Sequence, residues 1–135
     1  MKTFDLFEAE TSKIITSRQE IKALQLKSGS SKASSVIKQA IASKGSKIAA
    51  MIENDKVVGA ISYFHDQDKI TTIEYVGSVK PKIGTALINF VESESKSKGQ
   101  KKLTVWSYET ADSFYLHLGF RKGTSGEGHF EKLIT

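Results

Sequence analysis

Lys80-Pro81-Lys82-Ile83-Gly84-Thr85-Ala86-Leu87 opens the stretch that decides the fold of this chain, and Phe114-Tyr115-Leu116-His117-Leu118-Gly119-Phe120 closes it. From Val79 to Phe120 the sequence reads as a loop, an amphipathic helix, a strand and a second short helix. The opening turn sets a basic loop directly before a helix N-terminus. Free backbone N–H groups and the positive end of the helix dipole suit an anion there, such as a pyrophosphate. The closing turn places one tyrosine where a helix gives way to a strand. An anion cradle and a proton donor, one helix and one strand apart, point to an enzyme that uses a phosphorylated carrier.

Outward from that stretch, Ile83, Ala86, Leu87, Phe90 and Val91 fall on one helical face, and Gly99 ends the helix. A strand over Lys102 to Ser107 follows, and a helix between two strands implies a right-handed parallel crossover. Ala111, Phe114, Tyr115 and Leu118 show helical spacing. Phe120 begins another strand, and Thr124-Ser125-Gly126-Glu127-Gly128 turns into a last one, His129 to Ile134. Upstream, Ile48 to Glu53, the turn Asn54-Asp55 and Val57 to Phe64 read as a hairpin. His65-Asp66-Gln67-Asp68 turns into Ile70 to Val76, and connections this short make an antiparallel meander. A capping box at Ser17-Arg18-Gln19-Glu20 predicts a helix running to about Lys27. Ser28-Gly29-Ser30-Ser31 breaks it, and Ala33, Val36, Ile37, Ala40 and Ile41 mark a second helix stopped by Gly45. Thr3 to Phe7 is expected to form a short strand.

The 135 residues contain no cysteine, three histidines and a net charge of +5. That length fits one domain, 1–135, with roughly two-thirds of the unfolded surface buried. Zero cysteines exclude disulfides and thiolate metal sites, and the histidines at 65, 117 and 129 lack metal-ligand spacing, so no metal is expected. No apolar run approaches the ~18 residues of a membrane span, and Met1 to Phe7 does not read as a signal peptide. No membrane partner and an intracellular, cytoplasmic location are expected. The positive charge favours anionic partners, but it is dispersed over Lys44/Lys47, Lys80/Lys82, Lys96/Lys98/Lys101/Lys102 and Arg121/Lys122. Only Lys80/Lys82 opens a helix. Glu92/Lys96 and Glu94/Lys98 have the four-residue spacing of a solvated helix face. Nucleic acid is not an expected partner, because aromatic residues are not interleaved with Lys/Arg and no helix-turn-helix or zinc pattern occurs.

This order of elements resembles the GNAT superfamily of acyl-CoA-dependent N-acyltransferases over nearly the whole chain. Val57-Val58-Gly59 is similar to the family strand that ends an apolar pair with glycine. Ile83-Gly84-Thr85-Ala86-Leu87 is similar to the start of its acyl-CoA helix. Phe114 to Phe120 is similar to its aromatic-tyrosine-to-glycine-phenylalanine signature, the most specific of the three. The family's phosphate loop begins with Arg or Gln. Depending on the alignment, this chain has Val79 or Pro81 there, and Pro81 offers no N–H. Tyr108 stands where the family often has an asparagine that touches the pantetheine arm.

The resemblance implies an α/β (α+β) fold, with a mixed, mostly antiparallel central sheet, a splayed parallel strand pair and helices on both faces. It also implies acetyl-CoA as carrier and an amine of unknown identity as acceptor. The carrier would lie where the third meander strand and its parallel neighbour part. Backbone groups of Val76, Gly77, Ser78 and Val79 would then be free for pantetheine, and Lys80, Lys82, Ile83, Gly84 and Thr85 would meet the diphosphate. A backbone N–H near Val76 would face the thioester oxygen. Gly77 suits a bulge. Tyr115, protonated at pH 7 with an ordinary pKa near 10, is the expected general acid toward the leaving thiolate. Glu74, on the third meander strand just before Gly77, is the expected base. Regular alternation would put Glu74 and Val76 on one face and Tyr75 on the other. His65 is expected to be solvated in its turn, and His117 and His129 have no evident partners. Two other readings stay open at this point, an acyl-CoA-binding domain without efficient turnover and a basic nucleic-acid-binding module. A homodimer also stays open.

Overall fold

A computed structural model describes residues 12–27, 29–107 and 111–135. The strand expected over Thr3 to Phe7 lies outside them, as does Tyr108. The meander forms as expected. Strand β3 (Lys47–Glu53) turns through Asn54 and Asp55 into β4 (Lys56–His65), and β4 returns as β5 (Ile70–Ser78), both pairings antiparallel. Asn54 and Asp55 have φ of 50° and 64°, the left-handed backbone that a two-residue hairpin turn requires. Helix α3 (Pro81–Ser97) carries the chain to β6 (Lys102–Trp106), which pairs parallel with β5. A short helix α4 (Asp112–His117) leads to β7 (Arg121–Lys122) and to β8 (His129–Leu133), antiparallel to both β6 and β7.

The segment before the meander departs from its sequence pattern. Ser17 caps helix α1 (Arg18–Lys22) by accepting the Glu20 N–H at 3.3 Å, but the helix lasts five residues instead of running to Lys27. Gln25–Leu26 form a strand, β2, parallel to the start of β4, and the Lys27 N–H donates to the Val57 carbonyl at 2.9 Å. β5 reaches no further along β4 than Gly59, so Lys56 and Val57 leave backbone groups that β2 satisfies. That tertiary demand overrides the local helical pattern. The second helix, α2 (Ser31–Ala42), forms as the apolar stripe predicts, and β1 (Lys13–Ile15) adds an edge strand beside β3.

The sheet order is β1-β3-β4-β5-β6-β8-β7, with helices on both faces. One face packs Ile83, Leu87, Ile88 and Val91 of α3 and Tyr115 of α4 against Ala49, Ile61, Tyr63 and Ile73. The other packs Ile21 of α1 and Ile37, Ala40 and Ile41 of α2 against Ile48, Ala50, Ile52 and Val57.

Two bulges set which side chain faces which layer. Met51 pairs with Gly59 and Ile52 with Val57, leaving Val58 as the extra residue of β4. Ser62 pairs with Tyr75 and Tyr63 with Ile73, leaving Glu74 as the extra residue of β5. The bulge expected at Gly77 is therefore at Glu74, and Gly77 sits in register opposite Ala60. The glycines answer a different demand, close helix approach. A Cβ on Gly59 would lie 2.6 Å from Ile83 Cγ2 in α3, and one on Gly77 would lie 3.1 Å from the Ile37 backbone N in α2. Helices thus press on this part of the sheet from opposite sides.

Candidate active site

Pairing between β5 and β6 begins at Ile70↔Lys102 and stops at Ile73↔Val105, although β5 continues to Ser78. The strands part at Glu74, three residues before Gly77, because the bulge bends β5 just where β6 ends. A cleft of about 90 Å³ opens there, walled by Glu74, Tyr75 and Val76 of β5, Val105 and Trp106 of β6, and Tyr115 of α4, with Val36 and Ala111 closing it.

The bulge also corrects the expected facing of side chains. Val76 packs with the α3 layer and Tyr75 with the α2 layer. The Glu74 carboxylate accepts hydrogen bonds from Ser43 Oγ at 2.7 Å and from Ser46 Oγ, both in the turn after α2. Glu74 and Val76 therefore do not share a face. One extra residue shifts the two-residue period by one and reverses everything after it.

Few backbone groups of β5 are left for a ligand. The Val79 N–H donates to the Val58 carbonyl at 3.0 Å, so it is not free as expected. In an antiparallel ladder the groups turned to one neighbour alternate, so Gly77 also addresses β4. Val76 and Ser78 turn their N–H and C=O groups the other way, into the gap. The Ser78 hydroxyl donates to the Lys80 carbonyl at 2.7 Å, which fixes the turn into α3.

Two residues, Val79 and Lys80, separate β5 from helix α3, which has Lys80 at its N-cap, Pro81 in the first turn and no side chain capping it. The Ile83 and Gly84 N–H groups both donate to the Lys80 carbonyl, at 3.1 and 3.4 Å. These two amides, expected to meet an anion, are thus already engaged. Lys82 supplies the first-turn N–H, and the exposed Lys80 and Lys82 side chains form no ion pair among the described residues. Thr85 follows at a half-buried position. Gly84 lets α4 approach, since a Cβ there would meet Phe114 Cζ at 3.3 Å and Ser78 Oγ at 3.2 Å.

Tyr115 is 4% exposed. Its ring meets Phe114 and Phe120 edge-on, at centroid distances of 5.1 and 5.5 Å, and stacks on Phe130 at 6.0 Å. It is at once a core aromatic and a cleft wall, and three rings hold its orientation. Trp106, 52% exposed, stacks against His129 at 4.6 Å on the opposite wall. His129 is buried. Its Nδ1 accepts the Ser125 N–H at 3.2 Å, so Nε2 carries the proton toward Thr104 Oγ1 at 2.5 Å. Only an exposed tryptophan ending a short strand could have signalled this wall in the sequence. Nothing there signals Val36 or the two serines on Glu74.

A separate polar cluster lies behind β4. Glu94 of α3 accepts from the Tyr63 hydroxyl, pairs with Lys47 at 3.3 Å, and stands 3.7 Å from His65 Nε2. Burial pushes the Glu94 carboxyl up, but the bonds from Tyr63 and Lys47 outweigh it and hold the group below the usual carboxylate range. Burial, then Lys47, lowers the His65 pKa. Burial, then Glu94, raises that of Tyr63. Glu94 and His65 therefore depart from the expected solvated positions. His65 ends β4, and Thr71 Oγ1 meets its Nδ1 at 2.8 Å. Glu92 keeps the expected partner Lys96 at 3.3 Å and adds Lys132 at 2.8 Å.

The acetyltransferase (GNAT) domain family matches residues 16–133. No curated protein sequence matches the chain. The fold is similar to that of a GNAT-family acetyltransferase from Staphylococcus aureus, with TM-score 0.69 and 15% identity over 92% of this chain and 99% of that one. It is similar also to the ribosomal-protein-S18-alanine N-acetyltransferase of Escherichia coli, with TM-score 0.61 and 14% identity over 92% and 94% of the two chains. A third likeness is to the PaiA N-acetyltransferase of Thermoplasma acidophilum in complex with coenzyme A, with TM-score 0.57 and 19% identity over 64% and 59%.

Proposed function

The chain belongs to the GNAT acetyltransferase family and is an acyltransferase, and from that premise we propose that it moves an acetyl group from acetyl-CoA directly to a primary amine. The observation that carries this reading is the parting of β5 from β6 at Glu74, beside a buried tyrosine and ahead of an uncapped helix N-terminus. The residues present fit such a carrier. Val76 and Ser78 offer unpaired strand edge to the pantetheine amides, while the Lys82 N–H, the α3 dipole and the Lys80 and Lys82 side chains receive the diphosphate. Gly77, Val79, Ile83, Gly84 and Thr85 shape this path more than they bond along it. Acetyl-CoA supplies an activated thioester.

The chain's own groups then have three tasks. The Val76 N–H, turned into the gap, stabilises negative charge on the thioester oxygen. Glu74 takes a proton from the acceptor, directly or through water, because an amine of pKa about 10.4 is almost wholly charged at pH 7. Tyr115 gives a proton to the departing thiolate, and its three ring contacts keep the hydroxyl aimed without a search over rotamers.

Tyr115→Phe tests the reading. The variant keeps all the ring contacts, so acetyl-CoA should still raise its Tm, while thiol release should fall by about 10²-fold or more. Equal rates in the two proteins would refute Tyr115 as the acid. No stabilisation of either by acetyl-CoA would refute the carrier.

A further inference from the structure

A second concavity, about 390 Å³ in volume, opens beside the last turn of α3, where β3 begins. It shares no lining residue with the cleft. Ile48 and Tyr63, both buried, form its floor. Its polar wall sets Arg18 and Lys47 against one carboxylate, Glu94. Both Glu94 oxygens are taken, Oε1 by the Tyr63 hydroxyl and Oε2 by Lys47 at 3.3 Å. Arg18 has no counter-charge, since among the described residues no carboxylate lies within ion-pair reach of it. Its guanidinium donates instead to the carbonyls of Ile41 and, at 2.9 Å, Ser46. Those bonds fix the half-buried side chain and leave it N–H donors to spare.

The charge decides what the pocket takes. Two cations meet one carboxylate, so one positive charge stays unmatched, with Thr16 on the exposed rim beside it. A singly charged carboxylate matches that excess and accepts from the planar guanidinium through both oxygens, whereas a phosphate dianion exceeds it. The volume equals that of roughly a dozen waters at ~30 Å³ each, so acetate would leave most of it unfilled. An apolar body of about ten non-hydrogen atoms fits better. Ser46 links the pocket to the cleft. Its carbonyl accepts from Arg18, its hydroxyl donates to Glu74, and Lys47 follows it directly. An anion bridging Arg18 and Lys47 therefore ties down Ser46, and with it one of the two hydroxyls on the proposed base.

We propose that this pocket is a regulatory site for a small organic monocarboxylate with an apolar body, and that its occupancy promotes transfer by steadying Ser46 against Glu74. The coupling, though not the binding, rests on the reading of the cleft as the transfer site.

The test uses phenylbutyrate, beside its uncharged amide, on the intact chain. In amide NMR the carboxylate should shift Thr16, Lys47 and Ile48 saturably, with a Kd near millimolar, and the amide should not. Arg18→Gln should weaken binding by about tenfold or more, but it also loses the ties to Ile41 and Ser46. Thr16→Glu avoids that loss. There the chain's own carboxylate supplies the missing charge, so binding should vanish with Tm nearly unchanged, while Thr16→Gln, of similar size, should bind as before. The Glu74 amide should shift at the same midpoint, and in Ser46→Ala that shift should disappear while those of Thr16 and Ile48 remain. Thiol release from acetyl-CoA should rise severalfold at saturation. No saturable shift, equal binding of carboxylate and amide, or undiminished binding by Thr16→Glu would overturn the site. Binding without a shift at Glu74, or without a change of rate in a protein that releases thiol, would overturn the coupling. Binding by a protein that releases no thiol in either state would support the site and locate the failure in the transferase reading, on which the Tm increase from acetyl-CoA reports separately.

Discussion

Glu74 is the extra residue of a bulge, and two serine hydroxyls hold its carboxylate. Both bonds fall on one carboxylate oxygen, Oε1, so the proposed proton transfer from the acceptor falls to the other. Glu74→Gln should lower the transfer rate by about 10²-fold near neutral pH without changing stabilisation by acetyl-CoA. The deficit should shrink as pH rises, because a larger share of the amine is then already deprotonated. A pH-independent deficit would argue against a base role. The sequence shows a carboxylate late in a strand, but not the bulge that decides its facing, since a one-residue slip leaves no mark on composition or local pattern. Tyr115 was more legible, because its aromatic neighbour and following Gly119-Phe120 sit at fixed offsets in one short segment.

Two elements depend on contacts that no single segment reveals. Helix α3 lies against β4 only because Gly59 has no side chain, so Gly59→Ala should cost about 1–3 kcal/mol, read as a fall in Tm. The same helix is tied to β4 through Glu94. With its folded pKa lowered, Glu94 stabilises the protein above the ordinary carboxylate pKa, and that contribution is lost as pH falls through the folded value. His65, whose pKa is also lowered, adds a penalty in the same direction, since below about pH 6.5 the unfolded chain binds the proton more readily. Tm should therefore decline on acidification from about pH 6.5. Glu94→Gln should lower Tm at neutral pH, by about 1–3 kcal/mol of stability, and flatten the most acidic part of that decline. A Tm profile in this variant parallel to the original would contradict the assignment. The helix-face spacing of Glu94 and Lys98 concealed this, because i,i+4 spacing cannot show that β4 places Tyr63 and His65, and β3 Lys47, against one of the pair. The shortened α1 has the same origin, a backbone demand from β4 that acts across the chain.

At the scale of the molecule, the meander, the α3 crossover and the two helical layers follow from periodicity and turn residues, whereas β1 and β2 of the observed sheet were not expected from the sequence. What the order could not give is the point where β5 and β6 part, or which amides remain available there. Those follow from the Glu74 bulge and the Val79–Val58 bond. The proposed carrier path runs through the gap below that point, along the open edge of β5 to the head of α3. Amide NMR during an acetyl-CoA titration tests it most directly. The Val76, Ser78 and Lys82 amide resonances should shift together and saturate at one ligand concentration, while those of Gly77 and Val79, turned to β4, should move less. Saturable shifts confined to residues away from β5 and α3, or no shift on β5 at all, would contradict it.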